Sequence, residues 1–89
     1  MLFFARPTRV ETEILRILED GDLTGYEICR RLREVDPYAL MMGEGLLYPI
    51  LQHMVHRKFI YGEWRINERG RKRRYYKLTK CGLEKIKTP

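Results

Sequence analysis

The apolar pattern of this chain changes period once, near residue 60, and that change limits the architectures open to it. Before it, apolar residues recur at helical spacing. Val10, Ile14, Ile17 and Leu18 fall at i, i+4, i+7 and i+8, behind a capping box Thr8-Arg9-Val10-Glu11 that follows Pro7. Asp20-Gly21-Asp22 breaks that first helix. Thr24-Gly25-Tyr26-Glu27 is a second capping box, opening a helix with Ile28, Cys29, Leu32 and Val35 as its buried stripe, closed by Pro37. Leu23, between the two, can add a strand of one or two residues. A third helix is expected from about Glu44 to Arg57, with Leu47, Leu51 and Met54 inward. Beyond it the period is two. Ile60, Trp64 and Ile66 alternate with Tyr61, Glu63 and Arg65, and Arg74, Tyr76 and Leu78 with Arg73, Tyr75 and Lys77. The Asn and Gly of NERGRK make the turn of a hairpin, and Thr79 caps a last short helix with Leu83 and Ile86 facing in.

Within EGLLYPILQHM, residues 44–54, Pro49 interrupts helical spacing. A proline in a helix interior costs about 3 kcal/mol through a lost donor and a clash with the carbonyl four residues back. If the helix begins near Glu44 or Gly45, Pro49 lies in or just past the first turn, where few donors have partners to lose. The helix then keeps Tyr48, Gln52 and His56 as one exposed line, with His53 and Arg57 beside it.

Charge is segregated along the chain. Residues 8–36 hold five basic and eight acidic side chains, whereas residues 57–77 hold nine basic and two acidic, a local net of +7. A basic segment centred on a hairpin tip is the footprint of a polyanion site, set against the plainer reading of a solvated charge run.

Residues 1–89 are one domain, with room for one small core. No apolar run approaches the roughly 20 residues of a membrane span, and MLFFA is too short for a signal-peptide core, so an intracellular, cytoplasmic protein is expected. No metal-ligand spacing, Ser/His/Asp set, paired carboxylates or Gly-rich phosphate loop can be assembled, so neither an enzyme nor a cofactor is expected. Serine is absent, and Asn67 and Gln52 are the only side-chain amides among many Lys, Arg and Glu, a bias found in thermophiles. Intracellular disulfides are less exceptional there.

Three helices, a basic hairpin wing and a short C-terminal helix match the α+β winged helix-turn-helix arrangement, in which the third helix enters the major groove and the wing grips the flanking backbone. LTGYEICRRL, EGLLYPILQHMVHRKFI, RKRRYYKLTKCG and a Leu-Glu-x-Ile close, in that order, resemble the PadR family of transcriptional regulators. Gly25 to Ile28, Gly45 with Leu47 to Pro49, and Arg74 to Gly82 fill the family's motif positions, and the match runs from about Thr12 onward. Leu46 stands where the family has Ser or Thr, removing a hydroxyl that could cap the helix or touch a phosphate. Lys58-Phe59 replaces a Gly-Leu pair. The family continues into a long C-terminal helix or helices that form the dimer and, in some members, a ligand pocket. This chain reads as a short form without them, so no small-molecule effector is expected.

The resemblance implies a sequence-specific regulator of double-stranded DNA. Gln52 can read adenine through its paired donor and acceptor, and Arg57 can bind phosphate or guanine. Tyr48 donates its hydroxyl to a phosphate or, alternatively, packs against the wing. His53 and His56 complete the exposed face, with no third metal ligand at hand. Arg69, Arg71, Lys72, Arg73 and Arg74 are the expected phosphate contacts of the wing. Cys29 belongs to the core; Cys81 is read as buried, with an intersubunit disulfide as the alternative. A homodimer is expected, sealed by Leu2, Phe3 and Phe4, with the segment from Leu83 to Pro89 as the other candidate surface. The competing reading is a winged-helix protein-interaction module, which Leu46 favours and the polar face of the third helix does not.

Overall fold

The computed structural model describes residues 7–38, 41 and 43–87, residue 44 without its side chain. The apolar residues 2–4, expected to seal a dimer, lie outside the described residues. The elements run α1 (Arg9–Leu18), β1 (Leu23–Thr24), α2 (Gly25–Val35), α3 (Glu44–His56), β2 (Ile60–Ile66), β3 (Lys72–Leu78) and α4 (Lys80–Lys87). The fold is α+β, with the three strands in the order β1-β3-β2, all antiparallel.

Both capping boxes form. Glu11 N–H donates to Thr8 Oγ1 at 3.1 Å while Glu11 Oε1 accepts from Thr8 N–H at 2.8 Å. Thr24 and Glu27 repeat the exchange at 3.2 and 2.9 Å. Each box satisfies donors a helix start would otherwise leave open, worth about 1 kcal/mol per cap. The core then assembles from one face of each helix and the base of the hairpin: Ile14, Leu15, Ile28, Leu32, Leu47, Leu51, Met54, Phe59 and Ile60 are all but sealed from water. Tyr76, in the central strand, closes the sheet side of that core opposite Leu23 and Gly62.

The alternation expected along β2 is present, but the expected burial is not. Ile60 is buried, yet Trp64 and Ile66, on the same face, are 57% and 72% exposed. The hairpin outruns the helices, so its outer half is left open by the described residues. Val35 is likewise exposed, because the core ends one turn earlier, at Leu32. Cys29 sits in the core, whereas Cys81, expected to be buried, is exposed and free. Gly82 takes the inward position of α4, so close to the Phe59 carbonyl that a Cβ would overlap it.

The end of α3 sets the course of the hairpin. Lys58 N–H donates to the Val55 carbonyl at 2.9 Å and Phe59 N–H to the Met54 carbonyl at 3.0 Å, the two bonds of a Schellman motif. The residue between them must be left-handed, and Lys58 takes φ 66°, a conformation that costs an L-residue roughly 1 kcal/mol. Lys58→Gly is therefore expected to raise unfolding free energy by about 0.5 kcal/mol, part of the relieved strain being offset by glycine's larger chain entropy. A urea titration measures this, and a lower midpoint for the variant would contradict it.

Candidate nucleic-acid interface

Rotation of α3 follows from its inner face. With Leu47, Leu51 and Met54 fully buried, Tyr48, Pro49, Gln52, His53 and His56 are left exposed on the outside. Pro49 has no N–H to offer the Gly45 carbonyl, but Gly45 is itself exposed, so water can satisfy that acceptor. Leu46 is half-buried against the core. The Tyr48 ring lies on the start of α2: a Cβ at Gly25 would come within 3.0 Å of its Cε1.

The wing tip is held by backbone and one side chain. Asn67 and Arg71 bond across the turn at 2.9 Å, and Asn67 Oδ1 accepts from the N–H groups of Arg69 and Arg71, each at 2.9 Å. Gly70, at φ 76°, supplies the left-handed residue of the turn. The side chains of Arg69, Arg71, Lys72 and Arg73 are thereby left exposed around the tip, and Arg74 lies half-buried behind them.

The basic residues of this segment divide by partner. Arg65 donates to Asp22 at 2.6 Å and to Glu63 at 2.8 Å, and lies over the Tyr75 ring. Those bonds, to Asp22 first and then Glu63, push its pKa further above the ordinary guanidinium value. They also relieve repulsion from Arg73, directly across the ladder. One open cleft runs between α2, α3 and the wing, lined by Thr24, Tyr26, Tyr48, Trp64, Lys72, Arg73 and Arg74 among others. Tyr48 and the wing cations thus meet on a single surface, in keeping with the sequence pattern. Trp64, Tyr26 and Arg30 border it too, and sequence reasoning missed all three. Trp64 becomes legible only once it is known where the core stops along β2.

Residues 14–88 match the Transcriptional regulator PadR-like family. The chain belongs to that family. Its members are transcriptional regulators and not enzymes. A PadR-like regulator from Bacillus cereus superposes with a TM-score of 0.78 at 33% identity, over 88% of this chain and 74% of that one. A PadR family regulator from Clostridium difficile gives 0.76 at 29%, over 90% and 81%. Bacillus subtilis PadR, in complex with operator DNA, gives 0.74 at 24%, over 89% and 45%, a likeness of fold.

In this PadR-like chain Arg57, expected to face phosphate or guanine, is turned inward. Its guanidinium pairs with Glu11 Oε1 at 3.3 Å and lies 4.6 Å from the centre of the Phe59 ring. Glu11 is 4% exposed, and the same oxygen closes the α1 capping box. The pair ties the end of α3 to the start of α1. Among the described residues no group of three His, Cys, Asp or Glu side chains could hold a metal, and no helix is long and apolar enough to cross a membrane. Arg57→Ala takes the cation from a buried carboxylate that also accepts from Thr8 N–H, and is expected to lower stability by roughly 1–3 kcal/mol. Thermal unfolding of the variant checks this; an unchanged midpoint would mean the cap alone satisfies Glu11.

Proposed function

We propose that the chain binds double-stranded DNA sequence-specifically, with α3 in the major groove and the wing on the flanking backbone. The observation that carries this reading is the cleft in which Tyr48 of α3 meets Lys72, Arg73 and Arg74 of the wing, cations with no carboxylate partner among the described residues. Gln52, His53 and His56 line a separate hollow on the same helix. The operator complex of Bacillus subtilis PadR, built on the same fold, supports it. Gln52 reads a base edge, with His53 and His56 beside it, and Tyr48 donates to a phosphate from its seat on Gly25. Arg69, Arg71, Lys72 and Arg73 neutralise phosphates, with Arg74 behind them. Arg57 is assigned to holding α3 and not to the DNA. The protein-docking alternative loses its main support, since Leu46 packs against the core. A DNA target puts the working place of the protein inside the cell.

Anisotropy titrations with a selected and a random duplex at two salt concentrations test the reading. Replacing Arg71 and Lys72 by Ala is expected to weaken both duplexes alike. It should also flatten the salt dependence of log K by about 0.9 for each phosphate left without its cation. Gln52→Ala is expected to cost about 1–3 kcal/mol on the selected duplex and little on the random one. An unaltered salt slope in the double variant would take the wing off the DNA, and equal losses on both duplexes would make Gln52 a backbone-binding residue.

A homodimer belongs to the same proposal, because one such domain reads few base pairs and regulators pair two reading helices roughly 34 Å apart. The exposed Cys81 thiol is open to a crosslink between copies. Sedimentation with and without reductant decides both points. A monomer at tens of micromolar overturns the dimer, and a dimer indifferent to reductant removes only the disulfide.

A further inference from the structure

We propose that Arg74 is a preformed seat for one backbone phosphate of duplex DNA, its pose imposed by Trp64, Tyr76 and the missing side chain of Gly62. The proposal rests on the DNA reading above and adds the residues that shape the contact. In the hairpin register Trp64 is opposite Arg74, and Gly62 is opposite Tyr76. The guanidinium carbon lies 5.4 Å from the centre of the Trp64 ring and 5.9 Å from that of Tyr76. It crosses the strand over Gly62, where any Cβ would overlap the guanidinium.

Stacking alone would not single out this arginine, because Arg57 and Arg65 also lie over rings. Those two are paired, Arg57 with Glu11 and Arg65 with Asp22 and Glu63. Arg74 has no carboxylate partner among the described residues, so its charge remains available. It opens on the cleft that Tyr48 and Lys72 also line. The acid that borders this cleft, Glu27, has its Oε1 taken by Thr24 N–H and hydroxyl at 2.9 and 3.1 Å.

A stacked guanidinium has its faces covered, and the N–H groups at its edge remain to bind an anion. Because its rotamer is already fixed, little entropy is lost on binding. Lys72, 5.5 Å from the centre of the same Trp64 ring, brings a second positive charge to the site. The large exposed surface of Trp64, unexplained by folding, is then the platform of the seat.

The test is duplex binding by anisotropy, on a duplex selected from a random pool, with thermal unfolding to confirm that each variant folds. Arg74→Ala and Gly62→Ala are each expected to lower affinity roughly tenfold, the scale of one charge-assisted hydrogen bond. The double variant should be no weaker than Arg74→Ala alone, because both changes remove the same interaction. Arg74→Lys should keep the salt slope of the wild type without its affinity. Trp64→Ala should lose affinity several-fold while Trp64→Phe retains it, and this pair carries the test if Gly62→Ala does not fold. Wild-type affinity in Gly62→Ala or Trp64→Ala, or losses that multiply in the double variant, would overturn the seat alone. A wild-type chain that binds no duplex would overturn the DNA reading and the seat with it.

Discussion

The chain passes from helix to strand within three residues, and the direction of the wing relative to α3 depends on how that reversal is fastened. Phe59 is the fastening point. Its N–H closes the Schellman motif on Met54, and its carbonyl accepts from Thr79 N–H at 3.1 Å. The Thr79 hydroxyl lies 2.7 and 2.9 Å from the carbonyls of Lys58 and Phe59 and accepts from Gly82 N–H at 2.9 Å. One short stretch of backbone therefore joins the end of α3, both hairpin strands and the start of α4. The Phe59 ring, buried under Arg57, anchors the same point in the core. Loosening this junction would leave each element intact and change the angle between α3 and the wing.

What can be read from sequence is what local chemistry dictates. Two Thr-x-x-Glu boxes announce helix starts because the bonds they make are confined to four consecutive residues. The change of period announces the hairpin for a similar reason, since alternation belongs to the strand itself. Burial is different, because it depends on which elements lie opposite. Trp64 and Ile66 have the correct phase for an inward face but stand beyond the helices. Cys81 gives its inward place to Gly82 because only a residue without a side chain can approach the Phe59 carbonyl. The exposed line of Tyr48, Gln52 and His56 is legible, since Leu47, Leu51 and Met54 leave α3 a single orientation. Arg57 is not, because its partner Glu11 is 46 residues away and already occupied by a cap.

The segregated charge takes on a finer meaning once partners are known. A local excess counted from sequence treats all cations in the segment alike. The structure withdraws Arg57 and Arg65 into ion pairs that hold elements together, and leaves Arg69, Arg71, Lys72 and Arg73 at the tip and Arg74 behind them. The acidic first half contributes to this sorting, for Glu11 pairs with Arg57 and Asp22 shares Arg65 with Glu63.

The wing turn has a consequence for how such a protein can change over generations. Its backbone is shaped by Asn67 and Gly70, and the side chains of Glu68, Arg69 and Arg71 stand exposed around it. Drift at those three positions can therefore alter the charge that the wing presents to solvent without removing the bonds that shape its turn. Turn shape and surface charge are in this way written in separate residues of one five-residue loop, and selection can act on either without disturbing the other.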